Sequence, residues 1–255
     1  MKRAFTLAEI LVTVGVLGIV VALTIPNFIM SMAGNQMTKT ARITQQQLTK
    51  VFQTSFASKY GTAENYPSFQ SQEFYDELAT FMPVKVKERS DFGARVDLPT
   101  PYWATIYGEK LYQGAVFELE NGVILSFVTY QYADAMLSGK AMQIIMDVNG
   151  REKPNMEGKD IYRMLFNAAP YYDNYAYGKL VALGANLLDT EDVRKACYTG
   201  KSRVKFGADL YFTHTAGWAF NKPSNNSGFA CLEYLNRINW DLRKYPVKDF
   251  TGDGE

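Results

Sequence analysis

One histidine and two cysteines are all this 255-residue chain offers of the softer metal ligands. A zinc site built from His and Cys takes three or four of them, so that chemistry has no ligand set here. An excess of charge of one sign is also missing. Lys and Arg number 27 against 26 Asp and Glu, and the net charge of +1 leaves no electrostatic footprint for nucleic acid. No Gly-x-Ser-x-Gly elbow occurs, and Gly200-Lys201-Ser202 has Lys195 where a phosphate loop needs glycine. His214 stands alone between Thr213 and Thr215. These absences leave no expected catalytic residue, cofactor or metal. The chain also lacks internal repeats and low-complexity tracts.

What it does have is apolar and aromatic surface to bury. Hydrophobic residues make up 47%, with 17 Tyr and 16 Phe, a composition that favours strands. The length suits one medium domain with an accessory segment.

That accessory segment is at the N-terminus. Lys2 and Arg3 precede a run from Phe5 to Ile25 in which Glu9 is the only charged side chain. As a helix the run is about 30 Å long, one bilayer core. The basic pair would stay on the cytoplasmic side and the rest would face outward. A carboxylate in such a span costs about 2.5–3.5 kcal/mol at the helix centre and less near its end. Cleavage between Ala4 and Phe5 would give it a purpose. The new α-ammonium of Phe5 would lie one helical turn from Glu9, which would neutralise it or its counterpart on a neighbouring subunit. Two plainer readings are a secretory signal, cut at the small-residue pattern of Val20 and Ala22, and an uncleaved anchor. Neither gives Glu9 a role.

The run Ala4-Phe5-Thr6-Leu7-Ala8-Glu9, followed by an apolar helix, resembles the class III signal of type IV pilins and type II secretion pseudopilins. The resemblance implies that a prepilin peptidase cuts after Ala4 and N-methylates Phe5, and that Glu9 is the acidic residue used in assembly. Pro26 falls where the family often has a helix-kinking proline. The family usually has Gly before the cut, where this chain has Ala4. The implied function is a structural subunit of a type II secretion pseudopilus or type IV pilus-like filament. Its implied partners are the prepilin peptidase, homologous subunits, an inner-membrane assembly platform and membrane lipid, with no nucleic acid. The implied location is the bacterial inner membrane, crossed once, with the globular part periplasmic or on an extracellular filament. Gly15 and Gly18 would let helices approach closely. The alternatives are a minor pilin or adhesin-type module, binding through the tyrosine-rich stretch 171–177, and a membrane-anchored secreted protein of other function.

Along the chain we expect three parts: a leader at 1–4, a long helix over 5–60 with its membrane segment at 5–26, and an extracytoplasmic globular domain over 61–255. The fold class is α+β, the long helix packing on an antiparallel sheet as in pilins. The helix should soften at Pro26 and Gly34, bury Ile43, Leu48, Val51, Phe52 and Phe56, and stop at Gly61. A short helix at 73–81 should bury Phe74, Leu78 and Phe81. An edge strand is expected at 84–87 and a loop at 91–101. Strands at 115–119 and 123–128 flank Asn121-Gly122, a strong hairpin signal. Further strands at 142–148 and 161–166 would complete a meander of three or four. Short helices follow at 190–197 and 229–242, the second burying Leu232, Leu235 and Ile238.

An extracytoplasmic compartment permits disulfides, and the resemblance implies a C-terminal loop closed by Cys197 and Cys231; two free buried thiols are the alternative. The oxygen-rich segment from Asp147 to Asp160 invites calcium. It fails the EF-hand pattern, with Arg151 at the fifth position and Gly158 at the twelfth. Its Asp-x-Asn-Gly, Pro-Asn, Gly and Asp spacing resembles a recurring turn of pilin-like proteins of anaerobes, and reads as structural. The acidic terminus 251–255 reads as frayed. Trp218, Trp240 and Tyr172 read as core or surface aromatics rather than as a sugar site.

Overall fold

The computed structural model describes residues 6–90, 112–130, 140–150, 152, 158–168, 177–185, 189–197 and 230–245. Ala4, Phe5, the loop 91–101, residues 171–176, His214, Trp218 and the terminus 251–255 lie outside the described residues.

Helix α1 spans Leu7–Lys50 with Pro26 inside it, so neither Pro26 nor Gly34 interrupts it. The helical path then continues in a wider form. Val51–Phe56 is π-helical, and Ala57–Tyr60 makes a last α turn. Gly61 ends it at φ 79°, its N–H donating to the Ala57 carbonyl at 2.9 Å. A π turn loosens the usual backbone ladder, and the Tyr66 hydroxyl donates to the Phe52 carbonyl at 2.7 Å. Phe52 and Phe56 are both fully buried there.

The buried stripe of α1 differs from the expected one. Thr38, Ala41, Thr44, Leu48, Val51, Phe52 and Phe56 face inward, whereas Ile43 is 42% exposed. Ala41, Thr44, Leu48 and Val51 follow a three- and four-residue spacing along one helix face, and Ile43 falls off that face.

Ser71 caps α2 (Gln72–Thr80), its hydroxyl accepting from the Phe74 N–H at 3.2 Å. Phe74 and Leu78 are buried as expected; Phe81 is not, because it is the C-cap and is 40% exposed.

The sheet has six antiparallel strands in sequential order: β1 (Val84–Ser90), β2 (Tyr112–Leu119), β3 (Ile124–Tyr130), β4 (Ala141–Asp147), β5 (Ile161–Asn167) and β6 (Val181–Ala182). This corrects the expected three or four. The strand signal at Val84 extends to Ser90 and pairs with β2 past an irregularity between Val84 and Val86. β6 contributes two residues opposite Met164 and Leu165, too few to show any periodicity. At the Asn121-Gly122 hairpin, Gly122 has φ 85° and donates to the Leu119 carbonyl at 2.9 Å.

Alternate sheet residues form the core with the helices. Phe166 of β5 meets Phe52 at 4.7 Å between ring centres and Tyr66 at 5.8 Å, while Phe127 of β3 meets Phe117 at 5.0 Å and Tyr75 at 5.8 Å. All seven positions of β4 and of β5 are buried.

Helix α3 (Thr190–Cys197) matches its expected bounds, and α4 (Cys231–Arg237) is shorter than 229–242. Leu232 and Leu235 are fully buried, and Ile238 lies past the helix end, partly buried. The chain turns back through Asn239 at φ 55° and Trp240 at φ 62°. A disulfide joins Cys197 to Cys231 across a sequence separation of 34. Closing a loop of that size restricts the unfolded chain by about 4 kcal/mol in the chain-entropy account.

Candidate functional site

The long helix has two environments. Between Leu7 and Met32 the large apolar side chains that are described stand free of the domain, with Leu7 76%, Leu17 63% and Leu23 69% exposed. An 18-residue window here has mean hydropathy 2.4 and is 0% buried. By length and composition this helix is able to cross a membrane, and it lies near the N-terminus. Ala33 and Met37 begin the packing against the core, and Gly34 is buried. An apolar surface this large on a soluble monomer is unusual; such patches mark contact with a membrane or another protein. Gly15 and Gly18 have no atom within 4 Å of where a Cβ would stand.

The first turn fixes Glu9. Thr6 is the N-cap, in extended conformation at φ −77° and ψ 152°. The Glu9 N–H donates to Thr6 Oγ1 at 3.3 Å, and Glu9 Oε2 accepts from the Thr6 N–H at 2.8 Å and from its hydroxyl at 2.9 Å. This is a capping box, which satisfies helix N–H groups that have no partner within the helix. It folds the carboxylate back toward the N-terminus, beside the residue that follows Phe5. Glu9 Oε1 makes no hydrogen bond among the described residues, so one oxygen is held by the helix and the other is open to a further donor. Sequence reasoning found Glu9 and missed Thr6, although the Thr-x-x-Glu spacing before an apolar run was the signal for it.

The described residues at the two ends of the segment 147–160 form bends and turns. Gly150 has φ 69°, and a Cβ there would stand 2.6 Å from the Gly122 carbonyl oxygen, so the position requires glycine. The Tyr245 hydroxyl donates to the Gly158 carbonyl at 2.6 Å, and the Tyr162 hydroxyl to the Lys159 carbonyl at 2.9 Å. Burial, reinforced by the nearby Asp160 charge, pushes the Asp147 carboxyl from 3.8 up to about 8, against backbone N–H bonds from Asn149 and Gly150. Among the described residues no group of three or more His, Cys, Asp or Glu is placed to hold a metal ion. The two cysteines are buried at the α3–α4 contact, far in sequence from Glu9.

Compared with protein-family models, curated proteins and solved structures, the chain gives no match to any of them.

Proposed function

We propose that the protein is a structural subunit of a type II secretion pseudopilus or type IV pilus-like filament. The observation that carries this reading is the division of one continuous helix: its second part belongs to the domain core, and its first part is apolar, exposed and headed by a capped glutamate. An uncleaved anchor accounts for the apolar span alone. A filament subunit also accounts for Glu9, because the open carboxylate oxygen is available to an α-ammonium.

The sequence of events follows from the physics. The helix inserts with Lys2 and Arg3 inside, and the domain remains on the periplasmic side of the inner membrane. Prepilin peptidase cuts after Ala4 and methylates Phe5. The Phe5 ammonium is then a cation in a low-dielectric surrounding, where an unpaired charge is costly and a carboxylate partner is worth most. Glu9 of the same or a neighbouring subunit supplies it. Subunits leave lipid for one another as their first halves pack, and the assembly platform drives that transfer.

Mass spectrometry of the mature N-terminus, from cells carrying the peptidase, tests the processing step. A start at N-methylated Phe5 is expected. An intact Met1, or a start after Ala22, would mean an anchored or secreted protein.

A further inference from the structure

A groove of ≈ 400 Å³ opens between the long helix, from Arg42 through the π-helical turn to Thr54, and the end of α4 with the turn that follows it. Its size lies within the roughly 300–1,000 Å³ of small-molecule sites. Five carboxamides line it: Gln45, Gln46, Gln53, Asn236 and Asn239. Thr49 and Thr54 add hydroxyls, Arg42 and Lys50 add positive charge, and Trp240 adds a ring. No carboxylate lines the groove, and none among the described residues pairs with Arg42 or Lys50.

The ring is placed at a conformational cost. Asn tolerates positive φ, but a bulky residue there is an outlier, and such strain collects at binding sites. Asn239 and Trp240 both adopt it in succession, and the Trp240 N–H donates to the Leu235 carbonyl at 2.8 Å. The turn carries Trp240 back against α1, where the Arg42 guanidinium lies 6.0 Å from the ring centre. That is the outer limit of a cation–π contact, so little is lost when Arg42 turns to a ligand. The ring is only partly buried.

We propose that this groove binds an acidic saccharide, a short glycan carrying carboxylates. Carboxamides both donate and accept, which matches sugar hydroxyls that do the same. The ring offers an apolar face for the C–H side of a pyranose. Arg42 and Lys50 are eight positions apart, about 12 Å along the helix, which suits carboxylates on separate rings. A ligand recognised by charge alone would not need so many neutral hydrogen-bonding groups. A neutral glycan would leave both cations without a counter-charge.

The test uses the full-length protein in a zwitterionic detergent without a sugar headgroup. Tetragalacturonate is titrated by calorimetry, with cellotetraose as the neutral glycan and tetraglutamate as the acidic peptide. Saturable binding of tetragalacturonate is expected, about tenfold or more tighter than either comparison ligand, since hydrogen bonds to charged groups carry such factors. Lys50→Ala and Gln46→Ala alter exposed side chains and should leave the melting temperature unchanged. Lys50→Ala should weaken binding about tenfold. Three results would overturn the proposal: no saturable binding of tetragalacturonate, equal or tighter binding of either comparison ligand, or unchanged affinity in Lys50→Ala. Trp240→Ala, which also disturbs packing, is read only alongside these variants.

Discussion

The two parts of the long helix share a backbone and differ in their surroundings. Before Ala33, leucine, isoleucine and valine point outward all round, and the only charged side chain, Glu9, is tied into the first turn. After Gly34, the inward face carries Thr38, Ala41 and Thr44 before the larger Leu48, Phe52 and Phe56, while Arg42, Gln46 and Lys50 face solvent. The second part follows the rule for a helix on a sheet, with one stripe in and the rest wet. The first part follows the rule for a helix whose solvent is lipid or other helices. The difference teaches that one helix can hold two surroundings, and that substitutions in its two parts should affect different measurements.

The largest expected separation is at Glu9. Glu9→Ala should abolish co-purifying multimers from cells that carry the peptidase, yet leave membrane insertion and the domain's melting temperature unchanged. Normal multimers in that variant would remove the pairing argument. Next is Phe52→Ala, which empties a fully buried site against Phe166 and should cost about 3–5 kcal/mol in chemical denaturation. Leu17→Ala, on the exposed part, should leave that denaturation curve unmoved; equal losses in the two variants would erase the distinction. Cys197→Ser, read the same way, should cost about 2–5 kcal/mol without changing membrane association.

The effect at Asp147 depends on pH and vanishes at about pH 4. Its carboxyl holds a proton up to about pH 8 in the folded chain, against 3.8 ordinarily. The unfolded chain therefore releases that proton first, and this group's contribution is full below about pH 4 and falls as pH rises toward 8. Asp147→Asn, which cannot ionise, should match the parent near pH 4. It should exceed the parent by on the order of 1–2 kcal/mol near pH 5, and by more at higher pH. Parallel stability–pH curves for the two proteins would contradict the assignment.

Much of this comparison was legible in the sequence. An apolar run with one carboxylate locates the first part of α1 and Glu9 within it. Asn121-Gly122 between apolar runs locates the hairpin, and the runs at 142–148 and 161–166 locate β4 and β5. What was not legible has physical causes. The stripe of α1 runs through Thr38, Ala41 and Thr44, which no apolar pattern picks out, and Ile43 looks like core until that face is known. Within the π turn at Val51–Phe56, the Phe52 carbonyl accepts from a distant hydroxyl, Tyr66, which no local pattern announces. β6 is too short for a period. Trp240 looks like an ordinary aromatic until the reversal after α4 sets it against Arg42.

The most direct test of the central claim is photo-cross-linking from within α1 in cells that carry the peptidase. A benzophenone amino acid at Leu17 should yield a ladder of adducts between copies of this chain, and Glu9→Ala should remove the ladder. The same probe at Ile43, exposed on the second part, supplies the comparison from beyond the apolar span. Adducts of Leu17 to lipid alone, with no protein ladder, would make the helix an anchor and contradict the filament account.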